Sequence, residues 1–343
     1  MLRPHLKDLV PYSSARDEYS DTEGVFLDAN ENSLGSAADD SFRRYPDPYQ
    51  RQLKQKIAQL KNVDSQKIFL GNGSDEPIDL LYRAFCEPKV DNVIITPPTY
   101  GMYAVSAGIQ NVEIRKVNLT VDFELRPDEI LETVDDHTKI IWLCSPNNPT
   151  GNLISADDII KVIESFSGLI VVDEAYIDFS SQPSMIGSLD QYPNLIVLQT
   201  FSKAWGMAGL RLGAAYATRE IVSILNKIKA PYNLSEATQQ IALNALEKVE
   251  DVNATVNEII DLREQLNNEL KTISSVKHIY PSSTNFLLVK FENAQKVFDL
   301  LIADQVIVRN RSNVALCEGG LRITVGAETE NERLIDSLRK MKL

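Results

Sequence analysis

Histidine and cysteine are scarce in this 343-residue chain, with three of each: His5, His137 and His278, and Cys86, Cys144 and Cys317. None stands at ligand spacing from another, so neither a zinc site nor a disulfide framework is supported, and no metal is expected. Long apolar runs are also missing. No stretch approaches the roughly 20 residues of a membrane span, and the opening MLRPHLKDLVPYSS is broken by charge and proline before a signal-peptide core could form. Positive charge is in deficit: 35 Lys and Arg against 48 Asp and Glu leave a formal charge of −13. That balance argues against nucleic acid or an anionic membrane as partner, since both want a basic face. An anionic substrate must then be held by a few local arginines, and the expected location is cytoplasmic.

What is present is ordinary for a folded protein, 43% hydrophobic and 24% charged residues, in a chain long enough for about two domains. Short Val-, Ile- and Leu-rich runs recur at 67–71, 92–96, 139–146, 169–176, 194–202 and 212–218, separated by stretches of helical period such as SDEPIDLLYRAF and SADDIIKVIESF. Strands apolar on both faces with helices between them predict a mostly parallel sheet covered on both sides, a three-layer α/β/α large domain. From Ser235 to about Ile273 the pattern predicts one long or broken helix. After it NFLLVKF, QVIVRN and LRITVG predict a smaller α/β C-terminal domain. The expected division is 1–35, an arm packed on the small domain and a dimer partner; 36–231, the large domain; and 232–343, the small domain.

In such sheets ligands gather beyond the carboxyl ends of the strands, where helix N-termini point. The residues that follow the runs are NGSDE, PPTYG, NNPTG, DEAY and SK, so five strand ends carry groups of chemical use. Asp173 follows four apolar residues and needs a cationic partner. A magnesium ion in a P-loop NTPase is one candidate, but the chain has no GxxxxGK[ST] stretch. An organic cation is the other. Ser74 and Asp75 open a helix and can cradle a phosphate, which Ser202 and Arg211 close from the other side. Tyr100 can stack on a ring, Asn148 and Tyr176 can bond a phenolic oxygen, and Lys203 can attack a carbonyl. A phosphorylated pyridine aldehyde, pyridoxal 5'-phosphate (PLP), meets all of these requirements, with its ring nitrogen on Asp173.

NNPTG, DEAY and SKAWGMAGLRLG, in this order and at these spacings, resemble the fold type I PLP-dependent aminotransferases. VPYSSAR, LDANENSLG, RYPDPY, GNGSDEPIDLL, PPTYGMYAVSA, CSPNNPTGN, VVDEAYIDF and GLRITVG bring the chain closer to the histidinol-phosphate branch, from Pro11 to the last helix. The resemblance implies transfer of the amino group of L-histidinol phosphate to 2-oxoglutarate, within histidine biosynthesis. It implies that Lys203 bonds to the cofactor and shuttles the substrate Cα proton, and that Asp173 keeps the pyridine nitrogen protonated. Asn148 and Tyr176 hold the ring hydroxyl and Tyr100 covers a ring face. Ser74, Asp75, Thr200, Ser202 and Arg211 hold the cofactor phosphate, joined by Tyr45 of a neighbouring subunit, so that a homodimer shares its active sites. For the substrate it implies Arg322 and Arg309, with Tyr12 from the partner and Asn30 nearby. Aromatic amino-acid transamination, phosphothreonine decarboxylation and a noncatalytic regulator of this fold are the readings weighed against it.

Overall fold

The six apolar runs in the first two thirds of the chain all become strands of one sheet in the computed structural model, which describes residues 2–13 and 24–341. The strands are β1 (Ile68–Asn72), β2 (Asn92–Ile95), β3 (Glu113–Lys116), β4 (Thr138–Cys144), β5 (Leu169–Asp173), β6 (Leu195–Thr200) and β7 (Leu212–Tyr216). Their order is β1-β7-β6-β5-β4-β2-β3. β7 runs against both of its neighbours and every other pair is parallel.

Alternation along the strands divides the side chains between two cores. Ile170 and Val172 of β5 and Leu195 and Val197 of β6 point to one face, against Leu53, Ile57, Ile159 and Val162 of helices Arg51–Lys61 and Ala156–Ser165. Leu169, Val171, Ile196 and Leu198 point to the other, against Ile78, Leu81 and Leu225 of helices Asp75–Phe85 and Arg219–Ile228. Both faces are covered, which gives the three-layer α/β/α arrangement expected and explains why these strands read as unbroken apolar runs. β3 escaped the sequence reading because it is an edge strand, EIRK, in which Arg115 pairs with Glu113 and Asp135.

The second sheet is antiparallel, ordered β10-β11-β9-β8 and built from β8 (Val276–Ile279), β9 (Phe286–Phe291), β10 (Arg309–Asn310) and β11 (Gly320–Thr324). Leu287, Val289, Leu321 and Ile323 bury against Leu266, Leu270, Val297 and Leu334 of helices Val249–Lys271, Ala294–Ala303 and Glu328–Lys340. The stretch 235–273 is two helices, Glu236–Ala245 and Val249–Lys271. Ser235 caps the first, its side chain accepting from the Thr238 N–H at 3.1 Å. That first helix packs through Ala242 on the large-sheet core, beside Leu53 and Ile57.

The arm begins elsewhere than expected. Arg3 pairs with Glu87 at 3.0 Å and its N–H donates to the Ala84 carbonyl, so the first residues lie on the large sheet's helices instead of on the small domain. Lys227 reinforces this by donating to the carbonyls of Leu6 and Lys7. Residues 14–23 of the arm lie outside the described residues.

Contacts among the described residues join the two sheets. Tyr176 and Ala204 cluster with Val256 and Phe286. In the NNPTG turn, Gly151 sits at φ +85° and a Cβ there would lie 2.6 Å from Ser282 Oγ; its carbonyl accepts from the Ser283 N–H at 2.7 Å. The turn is thereby fastened to the segment that leads into β9, and a cleft remains between the two units.

Candidate active site

Because β7 is antiparallel, the loop that leads into it, GLRLG, reaches the same sheet edge as the carboxyl ends of β1, β4, β5 and β6. A cavity of about 430 Å³ opens there. Twelve of the fifteen residues named from the sequence line it: Ser74, Asp75, Tyr100, Asn148, Asp173, Tyr176, Thr200, Ser202, Lys203, Arg211, Arg309 and Arg322.

Asp173 ends β5 and is 2% exposed. Burial pushes its carboxyl up to about 6, against two bonds that favour the charged form, from the Tyr103 hydroxyl at 2.6 Å and the Ala175 N–H at 3.1 Å. Lys203 reaches into the cleft with its ammonium 5.6 Å from the Tyr176 ring centre. Burial, and then the nearby Arg322 charge, lower its pKa. Both shifts favour the neutral forms, and a bound cation between the two groups would favour the charge on Asp173 while further disfavouring that on Lys203.

Tyr176 is buried, which raises its phenol pKa, and its hydroxyl accepts from Asn148 Nδ2 at 3.4 Å. The other side of that amide is tied to the small sheet: Arg322 Nη1 donates to Asn148 Oδ1 at 2.5 Å. Tyr100 donates to Asp75 at 3.0 Å. Ser202 bonds Thr200 twice, its hydroxyl accepting at 3.0 Å and its N–H donating at 3.2 Å. Arg211 takes up the left-handed region (φ 55°) and extends to Asp75 at 3.4 Å.

The remaining three residues lie away from the cleft within a single chain. Tyr45 is half exposed and stacks on Tyr232 at 4.5 Å. Tyr12 is 74% exposed, and Asn30 is exposed at φ 55°. Two residues that bear on the site's chemistry, one buried behind the cleft and one lining it, went unread in the sequence. Tyr103, in helix Met102–Ile109, follows Tyr100 by three residues, and the two rings meet edge to face at 5.6 Å. Arg311 follows Arg309 by two, the spacing that puts both on one side of a strand.

The cleft fits a phosphorylated pyridine. Helix Asp75–Phe85 starts at its rim, and the first N–H groups of a helix have no acceptor within it. The chain ahead of that helix passes so near β7 that a Cβ on Gly213 would lie 2.3 Å from Gly73 C and Ser74 N. Arg211 stands over Gly73, where a Cβ would meet its Nη2 at 2.6 Å. The result is a backbone cradle with one fixed cation, and a buried carboxylate and an amine stand in the same cavity.

This fold and cleft are those of the class I and II aminotransferases; residues 17–338 match that family, and the chain belongs to it. Within it the chain is similar to the histidinol-phosphate aminotransferase of Cytophaga hutchinsonii, 56% identical over 99% of this chain and 97% of that one. Among solved structures it is similar to the histidinol-phosphate aminotransferase from Clostridium acetobutylicum (25% identity, TM-score 0.81, 87% of this chain and 90% of the other). The fold is shared with the histidinol-phosphate aminotransferase from Sinorhizobium meliloti, solved in complex with pyridoxal 5'-phosphate (23% identity, TM-score 0.79, 98% and 97% covered).

Proposed function

We propose that the chain is a PLP-dependent transaminase that moves the amino group of L-histidinol phosphate to 2-oxoglutarate, giving imidazole-acetol phosphate and L-glutamate in histidine biosynthesis. One arrangement carries the reading: an amine and a buried carboxylate, Lys203 and Asp173, share a cavity with Arg309 and Arg322, two arginines without an ion-pair partner among the described residues. The identity of 56% to a histidinol-phosphate aminotransferase supports it over aromatic transamination and phosphothreonine decarboxylation.

Bound PLP would supply an aldehyde that accepts the amino group and a protonated ring that draws electron density from the substrate Cα. Asp173 would hold the ring nitrogen through its carboxylate. Lys203, whose charged form is disfavoured by burial and then by the Arg322 guanidinium, takes the Cα proton at Nζ and later returns one. Asn148 and Tyr176 would bind the ring hydroxyl, and Tyr100 would cover one face of the ring. Ser74 and Asp75 through their N–H groups, with Thr200, Ser202 and Arg211, would hold the phosphate. Arg322 and Arg309 bind the substrate phosphate in one half-reaction and a carboxylate in the other, which a guanidinium fork allows.

The same reading makes the enzyme a homodimer in the cytoplasm, with Tyr45 and Tyr12 crossing to the partner's cleft and Asn30 near the substrate. Val10, Tyr12, Val25, Leu27, Leu34 and Tyr45 are all at least half exposed in the first 45 residues, an apolar surface suited to a second copy. The division into an arm (1–35), a cofactor domain (36–231) and a small domain (232–343) goes with it, helix Glu236–Ala245 leaning back on the larger core.

The test is the visible absorption of the purified holoenzyme as L-histidinol phosphate, phenylalanine or phosphothreonine is added, with Lys203→Ala in parallel. The reading expects L-histidinol phosphate to change the spectrum at far lower concentration than the others. A Lys203→Ala protein that still turns over overturns the mechanism, and a response to another amine alone overturns the substrate.

A further inference from the structure

The stretch Arg309–Asn310–Arg311 continues β10, and along an extended chain alternate side chains share a face. Asn310 turns to Gln295, donating at 2.9 Å. Arg309 and Arg311 both turn the other way and line the cleft. Arg322 of β11 lies opposite Arg309 in register. Three guanidinium groups therefore converge on one end of the cavity.

They lack counter-charges. Among the described residues none of the three forms an ion pair, and Arg322's side-chain hydrogen bond goes to a neutral amide, that of Asn148. Arg311 Nε is buried and has no hydrogen-bond partner among the described residues. Burial, then Arg322 and Arg309, lower the proton affinity of Arg311. Such an array is costly unless an anion completes it, since a buried donor left unpaired loses its hydration without return. A single carboxylate offers one charge and two oxygens, enough for one fork. A phosphate monoester offers close to two charges and three acceptor oxygens at neutral pH.

We propose that Arg311 is a specificity-determining residue: together with Arg309 and Arg322 it engages the phosphate of the amino substrate, and it favours phosphate-monoester amines over those that carry only carboxylates. The proposal rests on the functional reading above, in which Arg309 and Arg322 face that phosphate. The second substrate, held by the Arg322 fork, makes little demand on Arg311.

The experiment compares wild-type holoenzyme with Arg311→Gln and Arg311→Lys in two measurements. In steady-state kinetics, Arg311→Gln is expected to raise KM for L-histidinol phosphate roughly 10- to 100-fold, the loss of a hydrogen bond to a charged group. KM for 2-oxoglutarate and kcat move far less, and Arg311→Lys recovers part of the loss. In thermal unfolding, inorganic phosphate raises the Tm of wild-type holoenzyme, whose cofactor cradle is already filled, and raises that of Arg311→Gln less. Equal losses for both substrates with a lowered Tm would make Arg311 a folding residue and overturn the proposal, as would kinetics unchanged by either variant. If wild type fails to turn over L-histidinol phosphate, the functional reading falls by itself. The phosphate-dependent Tm then decides the arginine site: a rise that Arg311→Gln diminishes upholds it, and no rise, or the same rise in both, overturns it.

Discussion

Tyr103 donates its phenolic hydrogen to Asp173 Oδ2 across 2.6 Å, from a ring that lies 4.9 Å from Trp142 and nearly parallel to it. Both partners are buried, so the bond is not shared with water. It works against the burial that pushes the Asp173 carboxyl up to about 6. The stacked Tyr103 thus keeps available the charged form that a pyridinium would need.

Tyr103→Phe should therefore shift the pH range over which apoprotein binds PLP. In wild type, affinity weakens as the pH falls through about 6 and Asp173 takes up a proton. Without the hydroxyl, weakening should begin on the order of one pH unit higher, because a hydrogen bond to a charged group is worth roughly 1.5–3 kcal/mol and one pKa unit about 1.4. Fluorescence titration of apoprotein between pH 5 and 9 measures this. An acid limb in the same place for both proteins would mean that Tyr103 only packs.

Gly213→Ala should damage the phosphate cradle without touching a charged group. The new Cβ would stand 2.3 Å from Gly73 C and Ser74 N, so β7 or the helix start must move. Overpacking of this kind costs about 1–3 kcal/mol. Expected are a lower Tm and cofactor affinity reduced about tenfold or more, since each 1.4 kcal/mol is tenfold. Equilibrium dialysis against PLP checks it, and wild-type affinity would show that the cradle tolerates the methyl.

Arg322→Ala should separate substrate binding from cofactor binding. The guanidinium donates to Asn148 at 2.5 Å and lies 5.2 Å from the Phe286 ring centre. The expected loss is about 100-fold or more in kcat/KM, as for a charged partner removed from a desolvated site, with PLP affinity within a few-fold of wild type. If both fall together, Arg322 belongs to the structure that holds Asn148.

Lys54→Met should stabilise the protein at neutral pH. Lys54 lies 7% exposed on helix Arg51–Lys61, beside a surface hollow of about 770 Å³ remote from the catalytic cleft, and no ion pair meets it among the described residues. Burial, then the Lys229 charge, lower its pKa to about 8. The unfolded value is near 10.4, so between about 8 and 10.4 the unfolded chain holds more protons and wild-type stability rises with pH. The variant should gain roughly 1–3 kcal/mol at pH 7 and lose that advantage towards pH 10.5. Denaturant unfolding at the two pH values reads this out, and a gain that does not depend on pH would rule out the charge as its cause.

The sequence by itself determined the layered sheet, because strands buried on both faces must be apolar at every position, and Leu169–Val172 and Leu195–Leu198 are. It also made Ser74, Asp173 and Lys203 legible, since polar groups at strand ends collect at one edge of such a sheet. Other features were decided only by the tertiary structure. β3 and β8 are edge strands whose polar residues carry no two-faced signal. Tyr103 resembles any core tyrosine until helix Met102–Ile109 docks against helix Asp75–Phe85 and the β2–β3 side of the sheet and turns its hydroxyl onto Asp173. Arg309, Arg311 and Arg322 are merely three charges in a sequence, 13 positions from first to last. The pairing of β10 with β11 makes them neighbours, because strand register brings together residues that chain distance keeps apart.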